Sequence, residues 1–109
     1  MMKTLLNLFD QANWEVADNY AKGTFKKILR DEHGASTVLL KLPKGFHMDA
    51  HSHVTTEQHF VLEGSYTSEG IRYPEGSYQI IYAHEDHGPF DSEDGAMVLA
   101  IWDPYEKAE

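Results

Sequence analysis

A chain of 109 residues has room for one domain, and its 41% apolar and 12% aromatic content belongs to a folded globule rather than a disordered segment. Nine Lys and Arg against eighteen Asp and Glu leave a net charge of −9, which repels a phosphate backbone and argues against a nucleic-acid partner. The absence of cysteine removes thiol catalysis, iron–sulfur clusters and thiolate zinc sites, leaves His, Asp and Glu as the strong metal ligands, and fits a reducing, cytoplasmic setting.

The chain opens with Leu5, Leu6, Leu8 and Phe9, which predict one or two helical turns over residues 2–9, packed as a lid or brace. Asn7 and Asp10 interrupt this stretch. It is too short for a signal-peptide core or a bilayer span, so no membrane association is expected. After Trp14 the texture changes to short β-type runs. Strands are expected at Thr24–Arg30, Ser36–Leu42, Gln58–Leu62, Ser65–Thr67, Gly70–Tyr73, Ser77–Ile81 and Ala96–Trp102. Turn signals separate them: Asp31-Glu32-His33-Gly34, Pro43-Lys44-Gly45, Glu63-Gly64, Ser68-Glu69-Gly70, Pro74-Glu75-Gly76 and Ser92-Glu93-Asp94-Gly95. Many short strands with frequent turns indicate an all-β sandwich or barrel occupying the whole chain as a single domain. The runs Val38-Leu39-Leu40 and Val98-Leu99-Ala100-Ile101 do not alternate, so both faces of these strands should be covered, by a terminal segment or by a second copy in a homodimer.

All of the seven histidines except His33 fall between positions 47 and 87. The densest part reads His51-Ser52-His53-Val54-Thr55-Thr56-Glu57. In extended chain, residues two apart share a face, so His51 and His53 present imidazoles side by side, and Glu57 has the same parity if the intervening segment stays extended. Two imidazoles and a carboxylate suit a first-row divalent metal ion. His-x-His alone is ordinary surface sequence, and the frame around it carries the signal: Gly45, five residues, His51, one, His53, three, Glu57, six, Gly64.

This frame resembles the first motif of the cupin superfamily at each of its five defining positions. The second motif is degenerate: Gly76 and His87 match, while Tyr82, His84 and Asp91 stand where proline, glycine and asparagine are usual. The phrases Glu57–Tyr66 and Ser92–Ala96 look like those of small single-domain cupins and of the cupin half of ChrR-type zinc anti-sigma factors, a resemblance covering roughly residues 14–103. It implies an all-β cupin double-stranded β-helix, a jelly-roll barrel, with a short helical segment before it. It also implies one divalent transition metal (Fe, Mn, Ni, Cu or Zn) held by His51, His53, Glu57 and His87, with His84 as the local rival of His87. The anti-sigma role is not expected to carry over, because those proteins bind their sigma factor through a separate helical zinc domain.

An open position on such a metal suits a small oxygenated molecule. Fe²⁺ would support a dioxygenase, and any of these ions acting as a Lewis acid would support an isomerase or lyase. A proton-transfer group is then needed. His59, Tyr82 and His84 are the candidates, with His47 less certain in direction. The contrasting expectation is a non-catalytic, metal-dependent binding or sensor module built from the same residues.

Overall fold

The computed structural model describes residues 7–104. Among these, nine strands and no helix occur: β1 (Trp14–Val16), β2 (Phe25–Glu32), β3 (Ala35–Leu42), β4 (Phe46–Met48), β5 (Glu57–Ser68), β6 (Ile71–Pro74), β7 (Tyr78–Ile81), β8 (Phe90–Ser92) and β9 (Ala96–Trp102). Most of the helix expected over residues 2–9 lies outside the described residues, and the part that is described enters a turn.

Every pairing is antiparallel. One sheet runs β1-β2-β3-β9-β5-β7 and the second runs β6-β5-β8-β4, so β5 belongs to both. The first half of β5 lies between β9 and β7, and its last residues, Thr67 and Ser68, lie between β6 and β8. The change of partners follows a bulge between Val61 and Glu63 and a left-handed Gly64, φ 71°. Here the expectation of two strands parted by a Glu63-Gly64 turn is corrected: the chain continues as one strand of twelve residues. The glycine marks a bulge and a close approach rather than a reversal, since a Cβ on Gly64 would collide with the Gly95 carbonyl oxygen and lie 2.9 Å from Ala96 Cα. By contrast, His33 and Gly34 do reverse the chain, with φ values of 52° and 82° at the β2–β3 hairpin.

The core lies between the two sheets. Val38, Leu40 and Leu42 from β3, with Val98 and Ala100 from β9, meet Phe46 from β4, Phe90 from β8 and Tyr66 from β5. Each large apolar side chain buried in this way contributes about 1.5–3 kcal/mol. The non-alternating run of β3 has its explanation on the opposite face. Leu39 points away from the core yet is fully buried, beside its cross-strand partner Lys27, which is 1% exposed. Residues 7–14 close over that lysine. Its Nζ donates to the Asn7 carbonyl at 2.7 Å and pairs with Asp10 Oδ1 at 2.9 Å, with the Trp14 ring 5.1 Å away. Among the described residues no helix is long and apolar enough to cross a membrane.

Candidate metal centre

Two loops at one end of the barrel carry the histidines, and they are tied to each other. His51 N donates to His87 O at 2.9 Å, and His87 N donates to His51 O at 2.8 Å. A third bond, from His84 N to His53 O at 2.7 Å, fixes the 82–87 loop against the His-x-His segment. The imidazoles of His51, His53 and His87 therefore converge, with ring centroids 4.2–5.0 Å apart. One ring nitrogen from each lies within 4.8 Å of the others. His51 Nδ1 donates to the Asp49 carbonyl at 2.9 Å, which leaves Nε2 with its lone pair free.

Glu57 reaches the same place by a route the parity argument did not foresee. The chain bends at Val54 and Thr55, so the run from His51 is not extended throughout. Glu57 instead arrives as the first residue of β5, paired with Ile81 on one side and Trp102 on the other, and its Oε2 lies 3.5 Å from His53 Nε2.

His53, His87 and Glu57 are held in the forms that can ligate a divalent ion. Burial drives the His87 imidazole pKa down to about 4, so the ring is neutral at neutral pH. Burial likewise lowers His53, although the Glu57 charge opposes it. For Glu57, burial acts to raise the carboxyl, but the hydrogen bond from His59 and the neighbouring imidazoles outweigh it, and the group is held below the usual range. Glu57 Oε2 and both ring nitrogens of His87 are buried without any hydrogen-bond partner among the described residues. Polar atoms left this way are costly in a native fold. Three imidazoles and one carboxylate facing each other fit a divalent transition metal, which, bound through neutral rings, would leave a net charge of +1.

The three proton-transfer candidates are placed differently. His59 is buried, donates from Nε2 to Glu57 Oε1 at 2.7 Å, and meets the Tyr66 hydroxyl at Nδ1, 3.0 Å away; that hydroxyl in turn donates to Gln79 Oε1 at 2.8 Å. Tyr82 is 57% exposed and His84 is exposed, and neither lines the cavity beside the histidines. The loop swings outward at His84, whose φ of 69° is left-handed, and chain proximity to His87 does not bring its ring inward. His47 is also exposed and lies between two carboxylates, Asp91 at 2.7 Å and Asp49 at 2.8 Å, which raise its pKa.

A cavity of about 420 Å³ opens on the donor set. Much of the rest of its lining is aliphatic and aromatic, from Leu40, Leu42, Phe46, Met48, Phe90 and Val98. Tyr20 also lines it. Sequence reasoning missed this residue because it sits between β1 and β2, where no motif or periodicity marks it. Its place is set by local backbone bonds, Tyr20 N to Ala17 O and Thr24 N to Ala21 O, both 3.1 Å.

Residues 3–106 match the family model described as the ChrR cupin-like domain. The chain belongs to that family. No curated protein sequence matches it. Among solved structures, this ChrR cupin-like chain superposes on one from the Rhodobacter sphaeroides SigE complex with the anti-sigma ChrR, with 25% identity and a TM-score of 0.73. The match covers 87% of this chain and 51% of that one, so the present chain spans about half its length. An acetylacetone dioxygenase from Acinetobacter johnsonii aligns with a TM-score of 0.78 at 14% identity, over 94% of this chain and 74% of that one. An RmlC-like cupin from Shewanella frigidimarina NCIMB 400 aligns at 0.76 with 19% identity, over 96% and 95%. The fold is the cupin jelly roll expected from the glycine–histidine–glutamate frame.

Proposed function

We propose that this chain holds one divalent transition metal ion through His51, His53, Glu57 and His87 and acts as a metal-dependent enzyme on a small oxygenated molecule, as an Fe-type dioxygenase or a Lewis-acid isomerase or lyase. The observation that carries this reading is the unpartnered, buried Glu57 Oε2 beside three converging imidazoles, at the wall of a cavity of about 420 Å³. When bound, the ion would supply Lewis acidity toward a ligand oxygen or, if redox-active, one-electron chemistry toward O₂. The residues of the chain do the rest. Glu57 provides the one negative charge, and His59 holds its second oxygen and stands within proton-transfer distance of it. The aliphatic wall excludes bulk water from the reacting end. Tyr82 and His84 have no part in proton transfer in this reading, because both face solvent.

The family match supports a second reading, in which the same centre is a metal-dependent binding or sensor module that reports to a protein partner. A ChrR protein has been solved in complex with SigE. Anaerobic reconstitution with Fe²⁺, followed by oxygen-uptake measurements with β-diketones and hydroxy-ketones, separates the two. The dioxygenase form of the enzyme reading predicts uptake that disappears in Glu57→Ala, and the isomerase or lyase form predicts a converted product without uptake. Stoichiometric ligand binding with neither uptake nor conversion favours the sensor. The proposal also includes a cytoplasmic homodimer, supported by the exposed Tyr78 and Ile80 on the outer face of β7.

A further inference from the structure

The apolar part of the lining limits what kind of molecule can enter. Leu40, Leu42, Phe46, Phe90 and Val98 offer hydrocarbon surface, and Met48 adds only a thioether. No Lys or Arg lines the cavity among the described residues, and the carboxylate of Asp49, a lining residue, is 95% exposed and paired with His47 at 2.8 Å. A dication with three neutral imidazoles and Glu57 balances one further negative charge and no more. An anionic group elsewhere on the ligand would lie largely against hydrocarbon, with no Lys or Arg to compensate it. A polyhydroxylated body would leave hydroxyls unpaired wherever they met the surface of Leu40, Leu42, Phe46, Phe90 and Val98.

Asn19 and Tyr20 add polar groups to the lining. The Tyr20 hydroxyl has no hydrogen-bond partner among the described residues, while its ring packs 6.5 Å from Phe46 within the cavity lining. Burial, with a smaller contribution from the Glu57 charge, pushes its pKa up to about 12, so the phenol keeps its proton at neutral pH and acts as a donor.

We infer that the cavity selects a compact, apolar-bodied molecule that carries at most one negative charge, presents its oxygen atoms to the metal, and receives a hydrogen bond from Tyr20. This selection rests on the metal-centre reading above. It makes Tyr20 a specificity-determining residue, one with no role in holding the ion.

The test uses the full chain loaded with Zn²⁺, which undergoes no redox turnover, with zinc content measured by elemental analysis before titration calorimetry. Pentane-2,4-dione and malonate present two oxygens at the same spacing, but malonate carries a second charge. After correction for each chelator's affinity for aqueous Zn²⁺, pentane-2,4-dione should bind at least about tenfold tighter than malonate. Heptane-3,5-dione, with two more methylenes against the hydrocarbon wall, should gain about a further tenfold. Tyr20→Phe should weaken pentane-2,4-dione by about fivefold or more at unchanged zinc content. Malonate binding as tightly as the diketone, no gain with the longer diketone, or no loss in Tyr20→Phe would each overturn the selection while leaving the metal centre intact. Protein that takes up no zinc overturns the metal reading, and the selection falls with it. The chelator comparison needs no variant, so it stands even if Tyr20→Phe fails to fold.

Discussion

His87 is 4% exposed, has no partner for either ring nitrogen, and has a pKa pushed by burial down to about 4. In the unfolded chain the same imidazole titrates near about 6.5. Between those values the unfolded state binds more protons than the folded one, so the metal-free protein loses stability as pH falls from about 6.5 toward about 4. Thermal melts at pH 7.5 and pH 5 should show a lower Tm at the acidic value, and the drop should be smaller in His87→Gln. An equal drop in both proteins would rule out His87 as the buried neutral group. His47 has the opposite sign: Asp91 and Asp49 raise its pKa, so whatever its clasp contributes is lost as pH rises through the folded value. At this scale the convergence of His51, His53 and His87 was readable from the chain, because motif spacing records which residues come together. The reach of Tyr82 and His84 was not readable, since spacing places a residue near a loop without saying which way the loop turns. Tyr20 left no trace in any pattern.

The strands that could be found in advance are those with a physical reason to be apolar along their length. β3 and β9 sit centrally, paired on both edges, and their hydrophobic runs mark them directly. β1, β4 and β8 have three residues each, too few for any period to show, and they form only because neighbours supply their partners. β5 was divided at Gly64 because glycine in a sequence signals both turns and bulges. The two uses separate under mutation. Gly45 has a left-handed φ of 75° with open space where a Cβ would go, whereas at Gly64 a Cβ meets the Gly95 carbonyl. Gly45→Ala should therefore cost about 1 kcal/mol, the ordinary left-handed penalty. Gly64→Ala should cost about 3 kcal/mol or more, because the β5–β9 ladder must shift. Urea denaturation of both variants checks this, and equal costs would contradict the close approach. Leu39→Ala should cost about 2–5 kcal/mol although Leu39 lies on the outer face, since it is fully buried there.

Across the whole molecule, the jelly roll brings the His51–Glu57 segment and the His84–His87 loop to one end of a cavity walled by both sheets. Sequence reading foresaw the fold and the convergence of His51, His53 and His87, but it had no means of showing the cavity, which exists only once β3, β4, β8 and β9 face each other. The exposed Tyr78 and Ile80 lead us to expect the mass of two chains in light scattering; a monomer at all concentrations would remove the dimer from the proposal. Because the proposed donors come from two loops and the start of β5, bound metal should raise Tm by mass action above the metal-free value. The central claim is the identity of the four donors. Elemental analysis of untagged protein should find one equivalent of divalent transition metal in the native chain and in His84→Ala, and close to none in Glu57→Ala and His87→Ala, each retaining its β-sheet circular-dichroism spectrum. Full metal content in His87→Ala, or its loss in His84→Ala, would contradict the centre described above.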